Sequence, residues 1–142
     1  TLVLPEHGLD GSTMELEKQL QKSNLFYRIL TRWVALKIKG RNIAEILEEI
    51  RYRSVAVYGY AELGKLLCRE LFNTSVNVIY VLDKKIRETE IGDLPVYTPA
   101  EGLPEPDAVI VTAVYYFDEI TNTLSGMGFK NIISLQTLLE MG

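Results

Sequence analysis

One cysteine and one histidine are all that this 142-residue chain holds of the two side chains most used in metal ligation and nucleophilic catalysis. A lone Cys68 excludes an internal disulfide and suits a reducing compartment. It stands between Leu67 and Leu71 in a helical stretch, the setting of a packed thiol rather than a nucleophile. With His7 the sole imidazole, no histidine-based triad or multi-histidine metal site can be assembled, and no metal is expected. No stretch approaches the ~18 apolar residues of a membrane-spanning helix, and no secretory signal opens the chain. A cytoplasmic protein without membrane insertion is expected. The chain begins at Thr1 rather than methionine, which fits a piece of a longer protein.

Positive charge is also short. Fifteen basic residues face nineteen acidic ones, for a net charge of −4, so nucleic acid is not the expected partner. The basic residues are unevenly spread, with nine of the fifteen between Lys18 and Arg53. They read mainly as solvated helix sides, with a partner surface or the rim of an anion site as the alternative.

What the chain does have is a change of pattern near residue 53. Residues 1–11, with Pro5, Gly8 and Gly11, read as a loose leader. Ser12 and Glu15 form a capping-box pattern, and helical spacing continues through Leu16, Leu20, Phe26, Ile29, Leu30, Trp33 and Val34 to Gly40. Asn42 caps a second helix carrying Ile43, Ile46, Leu47 and Ile50 on one face. Residues 1–52 are therefore a leader with a helical extension, and 53–142 a separate α/β unit. The Phe26, Ile29, Leu30 and Trp33 stripe fits core packing, or else an interface for a homodimer or for docking onto another domain.

From residue 53 onward, strands are expected at about 55–58, 77–82, 96–98, 108–112 and 131–133. Helices are expected at 62–72, 117–126 and 135–141. The polar segment 84–95 reads as a loop, and Thr98 to Glu101 as one helical turn stopped by Pro104 and Pro106. Near-continuous apolar strands such as Ala108–Val114 imply a doubly wound, mostly buried parallel sheet of about five strands, Rossmann-like in kind.

The first strand runs into Gly59-Tyr60-Ala61-Glu62-Leu63-Gly64 and a helix, and Asp83 ends the second strand. In this order the first turn of a helix can hold a phosphate on its N–H groups, while the later carboxylate accepts from ribose hydroxyls. Gly59 serves the turn and Gly64 the close packing of helix on strand. Ala61 replaces the usual middle glycine, and the Glu62 carboxylate partly satisfies the helix dipole itself. Lys84 and Lys85 after Asp83 keep a phosphate-bearing ligand open, the alternative being a plain strand-ending turn. Thr112, Ala113, Val114, Tyr115 and Tyr116 are expected on the opposite wall, where a tyrosine ring could stack on a base or sugar, or else one tyrosine packs in the core and the other is exposed. The expected ligand is NAD(P) or a nucleotide sugar.

Other patterns carry less. Tyr80 and Lys84 share the Y-x-x-x-K spacing of short-chain dehydrogenases, but on a strand they make no common face. Asp107, Asp118 and Glu119 fit a turn and a helix cap better than an acid/base pair. The reading is binding rather than catalysis. Two alternatives stay open: an NAD(P)-dependent oxidoreductase or fragment of a sugar-nucleotide-modifying enzyme, and an interaction module with a vestigial crevice.

Residues 53–140 resemble the small nucleotide-sugar-binding domains of bacterial surface-polysaccharide enzymes. These are the N-terminal domains of sugar acyltransferases and the leading domains of nucleoside-diphosphate-sugar epimerase/dehydratase proteins. The resemblance rests on Val55–Gly64, Val81-Leu-Asp83, Gly92-Asp-Leu-Pro-Val-Tyr97 and Asp107–Thr112. The turn is also similar to that of NAD-binding regulatory domains of potassium-uptake systems, which tolerate a glutamate at the position of Glu62. Trp33–Lys37 before Gly40-Arg-Asn-Ile43 resembles segments attached to capsule-biosynthesis glycosyltransferases of Gram-positive bacteria. The resemblance implies a nucleotide-binding role in polysaccharide or glycosyl-transfer biosynthesis. The acyltransferase repeats and the epimerase catalytic domain have no counterpart in this chain.

Overall fold

The computed structural model describes residues 11–85 and 90–142. The leader up to residue 10, with His7, lies outside the described residues.

Five helices and six strands follow one another along the described chain. They are α1 (Gly11–Ile38), α2 (Ile43–Glu49), β1 (Ser54–Tyr58), α3 (Glu62–Leu71), β2 (Asn77–Leu82), β3 (Glu90–Ile91), β4 (Leu94–Tyr97), β5 (Ala108–Val111), α4 (Phe117–Gly126), β6 (Ile132–Ser134) and α5 (Leu135–Glu140), with a 3-10 turn at Val114–Tyr116. The strand order is β3-β4-β2-β1-β5-β6. All neighbours are parallel except β3 and β4. This is the doubly wound, Rossmann-like sheet with an N-terminal helical extension.

Alternation along the central strands accounts for the two covered faces. Val55, Val57, Ala108 and Ile110 point into a core shared with Leu67 and Leu71 of α3, Leu135, Leu138 and Leu139 of α5, and Ile43, Ile46 and Leu47 of α2. Ala56, Tyr58, Val109 and Val111 point the other way, onto Ile120 and Leu124 of α4. Because neighbouring residues face opposite layers, both sets must be apolar, which gives continuous apolar strands. The first core also takes in Ile29, Trp33 and Leu36 of α1.

Beside this apolar packing, one carboxylate ties both helices of the extension to the α/β unit. Glu70 of α3 accepts the Trp33 indole N–H at 2.9 Å and the Ile43 backbone N–H at 2.8 Å, and pairs with Lys37 at 3.3 Å. Trp33 and Ile29 are thus core residues rather than an outward-facing stripe. Helix α1 ends where Gly40 takes φ +79°, with Arg41 N–H donating to the Leu36 carbonyl and Gly40 N–H to that of Lys37. These two bonds satisfy carbonyls that the last turn leaves without partners. Asn42 caps α2 by accepting from Glu45 N–H at 3.2 Å.

Three expectations need correction. The segment expected as a loop over 84–95 contains β3 and most of a hairpin, in which Glu90 opposes Pro95 and Ile91 opposes Leu94. The turn is Gly92-Asp93, with Gly92 at φ +62°, a short connection for two antiparallel strands. The sheet therefore has six strands, with an antiparallel edge beyond the five parallel ones. The expected helical turn at residues 98–101 does not form; the connection is irregular, with a turn at Glu101-Gly102 where Gly102 takes φ +80°. Helix α1 already includes Gly11, so Ser12 lies inside its first turn rather than capping it.

Candidate functional site

The Gly59–Gly64 turn is shaped by two close approaches. Gly59 has φ +95°, and a Cβ on it would stand 2.7 Å from the Thr112 hydroxyl. At Gly64 a Cβ would stand 2.0 Å from the Gly59 carbonyl oxygen. Only glycine lets α3 start this close to the end of β1. Ala61 is the α3 N-cap residue and offers no side-chain cap. The first helical bond runs from Lys65 N–H to the Ala61 carbonyl, so the N–H groups of Glu62, Leu63 and Gly64 lie ahead of the ladder.

Asp83 sits at the C-terminal end of β2 and faces this turn. One carboxylate oxygen accepts Tyr60 N–H at 2.9 Å, and the other accepts Lys85 N–H at 2.7 Å. Its charge also acts on a neighbour: burial first, and Asp83 second, push the Tyr58 phenol above its usual pKa.

These groups open onto a cleft of about 630 Å³ at the C-terminal ends of β1, β2 and β5. It lies at the switch point, where the connection from β1 leaves to one face of the sheet and that from β5 to the other. Gly59, Tyr60, Ala61, Glu62, Leu63, Asp83, Lys84, Thr112, Ala113, Val114 and Tyr115 all line it, whereas Gly64 is packed behind the turn. Thr112 contributes as a brace, since its hydroxyl is within hydrogen-bond distance of the carbonyls of Tyr58 (2.8 Å) and Gly59 (3.0 Å).

The outer wall comes from α1, where the sequence offered an anion rim among the basic residues from Lys18 to Arg53 without singling out Lys22 or its apolar neighbours. Lys22, Leu25, Phe26 and Ile29 face the cleft. The Lys22 ammonium lies 4.7 Å from the centre of the Tyr116 ring and 5.6 Å from that of Tyr115, while Lys18 lies 5.4 Å from Tyr116. Hydrogen bonding by Lys22, then by Lys18, holds the Tyr116 phenol below its usual pKa. The Tyr115 hydroxyl donates to Gln21 at 3.0 Å. The signal was present as Lys18, Lys22, Leu25, Phe26 and Ile29 on one helical face, but nothing local said which face would meet the strand ends. Lys85 and Glu119 complete a lining of three lysines and three carboxylates.

Other candidates have structural work. Tyr80 is buried, its hydroxyl donates to the Pro104 carbonyl at 2.7 Å, and burial pushes its pKa to about 12. It therefore braces the 98–107 connection and forms no pair with Lys84. Asp107 accepts the N–H groups of Arg53 (2.9 Å) and Ser54 (3.1 Å), joining the entrances of β1 and β5. Burial raises the Cys68 thiol to about 11, which keeps it protonated near neutral pH. A smaller cleft of about 130 Å³ lies at the opposite end of the sheet, among Leu103, Pro106, Phe129 and Asn131. Among the described residues, no three His, Cys, Asp or Glu side chains come together as a metal-holding group, and no helix is long and apolar enough to cross a membrane. No protein-family model matches the chain, and the search of curated proteins finds no significant match.

Proposed function

We propose that the chain is a binding domain for a nucleotide-type ligand, NAD(P) or a nucleotide sugar, serving bacterial polysaccharide or glycosyl-transfer chemistry without catalysing a reaction itself. One observation carries the reading: the glycine turn, the start of α3 and Asp83 converge on one cleft at the sheet's switch point. A phosphate would rest on the N–H groups of Glu62 and Leu63, favoured by the positive end of the helix. Lys22 from α1 and Lys84 would balance its charge. Asp83 lines the same cleft at the end of β2 and would turn its carboxylate to ribose hydroxyls. Phe26, Tyr60 and Tyr115 supply faces for a base or sugar. Asp83, the carboxylate facing the turn, accepts the backbone N–H groups of Tyr60 and Lys85, a structural duty that supports recognition over chemistry.

Thermal-shift and calorimetric titration against NAD, NADP, UDP-sugars, CDP-sugars and S-adenosylmethionine tests the reading. A ligand present at 100 times its Kd adds ~2.7 kcal/mol to the folding free energy. No stabilisation by any of the set at millimolar concentration would end the proposal.

A further inference from the structure

Helix α1 is apolar on two opposite sides. Leu25, Ile29, Trp33 and Leu36 face the body of the protein, and Ile29, Trp33 and Leu36 are fully buried there. On the other side Leu16, Leu20, Tyr27, Val34 and Ile38 are 58–81% exposed. At 3.6 residues per turn these five fall within an arc of about 40°, which makes one straight seam along a helix about 42 Å long. A surface helix with a single apolar face needs no second one. The seam presents roughly 600 Å² of side-chain surface, the upper end of what monomers leave in one patch.

The seam is symmetric about its own middle. Leu20 and Val34 lie seven residues to either side of Tyr27, and Leu16 and Ile38 lie eleven to either side. Between them stand Ser23 and Thr31, four residues to either side, small enough to leave room beside the Tyr27 ring. The Thr31 hydroxyl donates to its own helix at the Tyr27 carbonyl, so it asks for no partner across the seam. An order that reads the same from both ends matches a second copy of itself running the opposite way. Leu16 then meets the partner's Ile38, Leu20 meets the partner's Val34, and the two Tyr27 rings lie on the two-fold axis.

The flanking charges choose the same direction. At the ends of the seam Glu15 and Glu17 border the N-terminal half and Lys37 and Lys39 the C-terminal half, all four exposed, with Lys37 also paired to Glu70 of its own chain at 3.3 Å. Exposed Arg28 stands beside Tyr27 and comes near its own copy at the axis. Lys18 and Lys22 turn inward onto Tyr115 and Tyr116 and do not border the seam. Antiparallel pairing sets Glu17 near the partner's Lys39 on one flank and Glu15 near the partner's Lys37 on the other. Parallel pairing would set like charges side by side at both ends.

We propose that the chain forms a homodimer through this α1 seam, with the two helices antiparallel and Tyr27 on the axis. The two seams with their charged flanks bring the buried surface to the ~1,200 Å² at which specific interfaces begin. The interface is independent of the ligand reading, since it uses the side of α1 that faces away from the cleft.

Sedimentation velocity or light scattering on the whole chain should give twice its 16.1 kDa mass at micromolar concentration. Leu20→Glu, exposed in the single chain and so harmless to its fold, should weaken association about 100-fold, as loss of a central apolar anchor does. Glu17→Lys and Lys39→Glu should each weaken the dimer, and the double exchange should restore it. Tyr27→Cys should form a covalent dimer on oxidation. Leu16→Cys should not, because in the antiparallel arrangement the two copies stand about 33 Å apart. A monomer up to 100-fold higher concentration, a dimer indifferent to Leu20→Glu, or ready cross-linking of Leu16→Cys would each overturn the proposal.

Discussion

The Asp83 carboxylate accepts the Tyr60 N–H at 2.9 Å, so the residue proposed to read a ribose also holds the glycine turn in shape. The two roles separate by substitution. Asp83→Asn keeps one oxygen for Tyr60 but loses the charge and the acceptor of Lys85 N–H, so stability should fall only slightly while affinity for a ribose-bearing ligand falls about tenfold. Asp83→Ala removes the acceptor altogether and should cost ~1–2 kcal/mol of stability as well. Denaturant unfolding beside ligand titration reads both effects. Unchanged affinity in Asp83→Asn would remove Asp83 from the binding role.

Two glycine-to-alanine changes should behave oppositely. Gly64→Ala brings a methyl to 2.0 Å from the Gly59 carbonyl, and backbone there cannot move aside without opening the turn. A loss of about 3 kcal/mol or more is expected, at the high end for overpacking. Gly126→Ala in α4 meets nothing within 4 Å and keeps a helical backbone, so it should be neutral or gain up to ~1 kcal/mol. Paired melting curves make the comparison, and equal effects would contradict the close-packing account.

Glu70 holds the helical extension through Trp33 and Ile43, and it is mostly buried. Glu70→Ala leaves two N–H groups without their acceptor and should cost about 2–3 kcal/mol. Glu70→Gln keeps one acceptor oxygen for two donors and should fall between. Since Trp33 is the chain's only tryptophan, its fluorescence reports the change directly. An unaltered emission spectrum in both variants would show that Glu70 does not hold Trp33.

Hydrogen bonds from Arg53 N–H, then Ser54 N–H, lower the Asp107 pKa from its ordinary 3.8. The native state therefore binds fewer protons than the unfolded chain around that pH, and stability rises with pH there. The contribution is complete above about 3.8 and fades as pH falls through the lower native value. Asp107→Asn should be less stable than the parent at neutral pH, with the gap closing only in acid. Unfolding curves from pH 7 down to about 2.5 test this, and a gap that stays constant would refute it.

Much of the α/β frame was local in origin and so could be read from the sequence. β1, α3, β2, β5 and α4 lie within a residue or so of their expected limits, because an apolar run, a glycine turn or an amphipathic stretch acts over a few neighbours. Gly59 and Gly64 announced their turn for the same reason. β3 gave no such sign: Glu90 and Ile91 are a strand only because β4 folds back beside them.

The sequence by itself determined a doubly wound sheet with a glycine turn and an acidic strand end at one edge, since these depend on short-range periodicity and backbone freedom. Only the tertiary structure decided what α1 does. That helix is apolar on both sides, so periodicity could not choose between them; Trp33 and Ile29 went inward because Glu70 and the α2 and α5 leucines were there to receive them. That choice brought Lys22 and Phe26 to the cleft as its outer wall and left the Leu16–Ile38 seam facing out. A helix buries whichever face meets a partner, and partners distant in sequence come together only when the chain has folded.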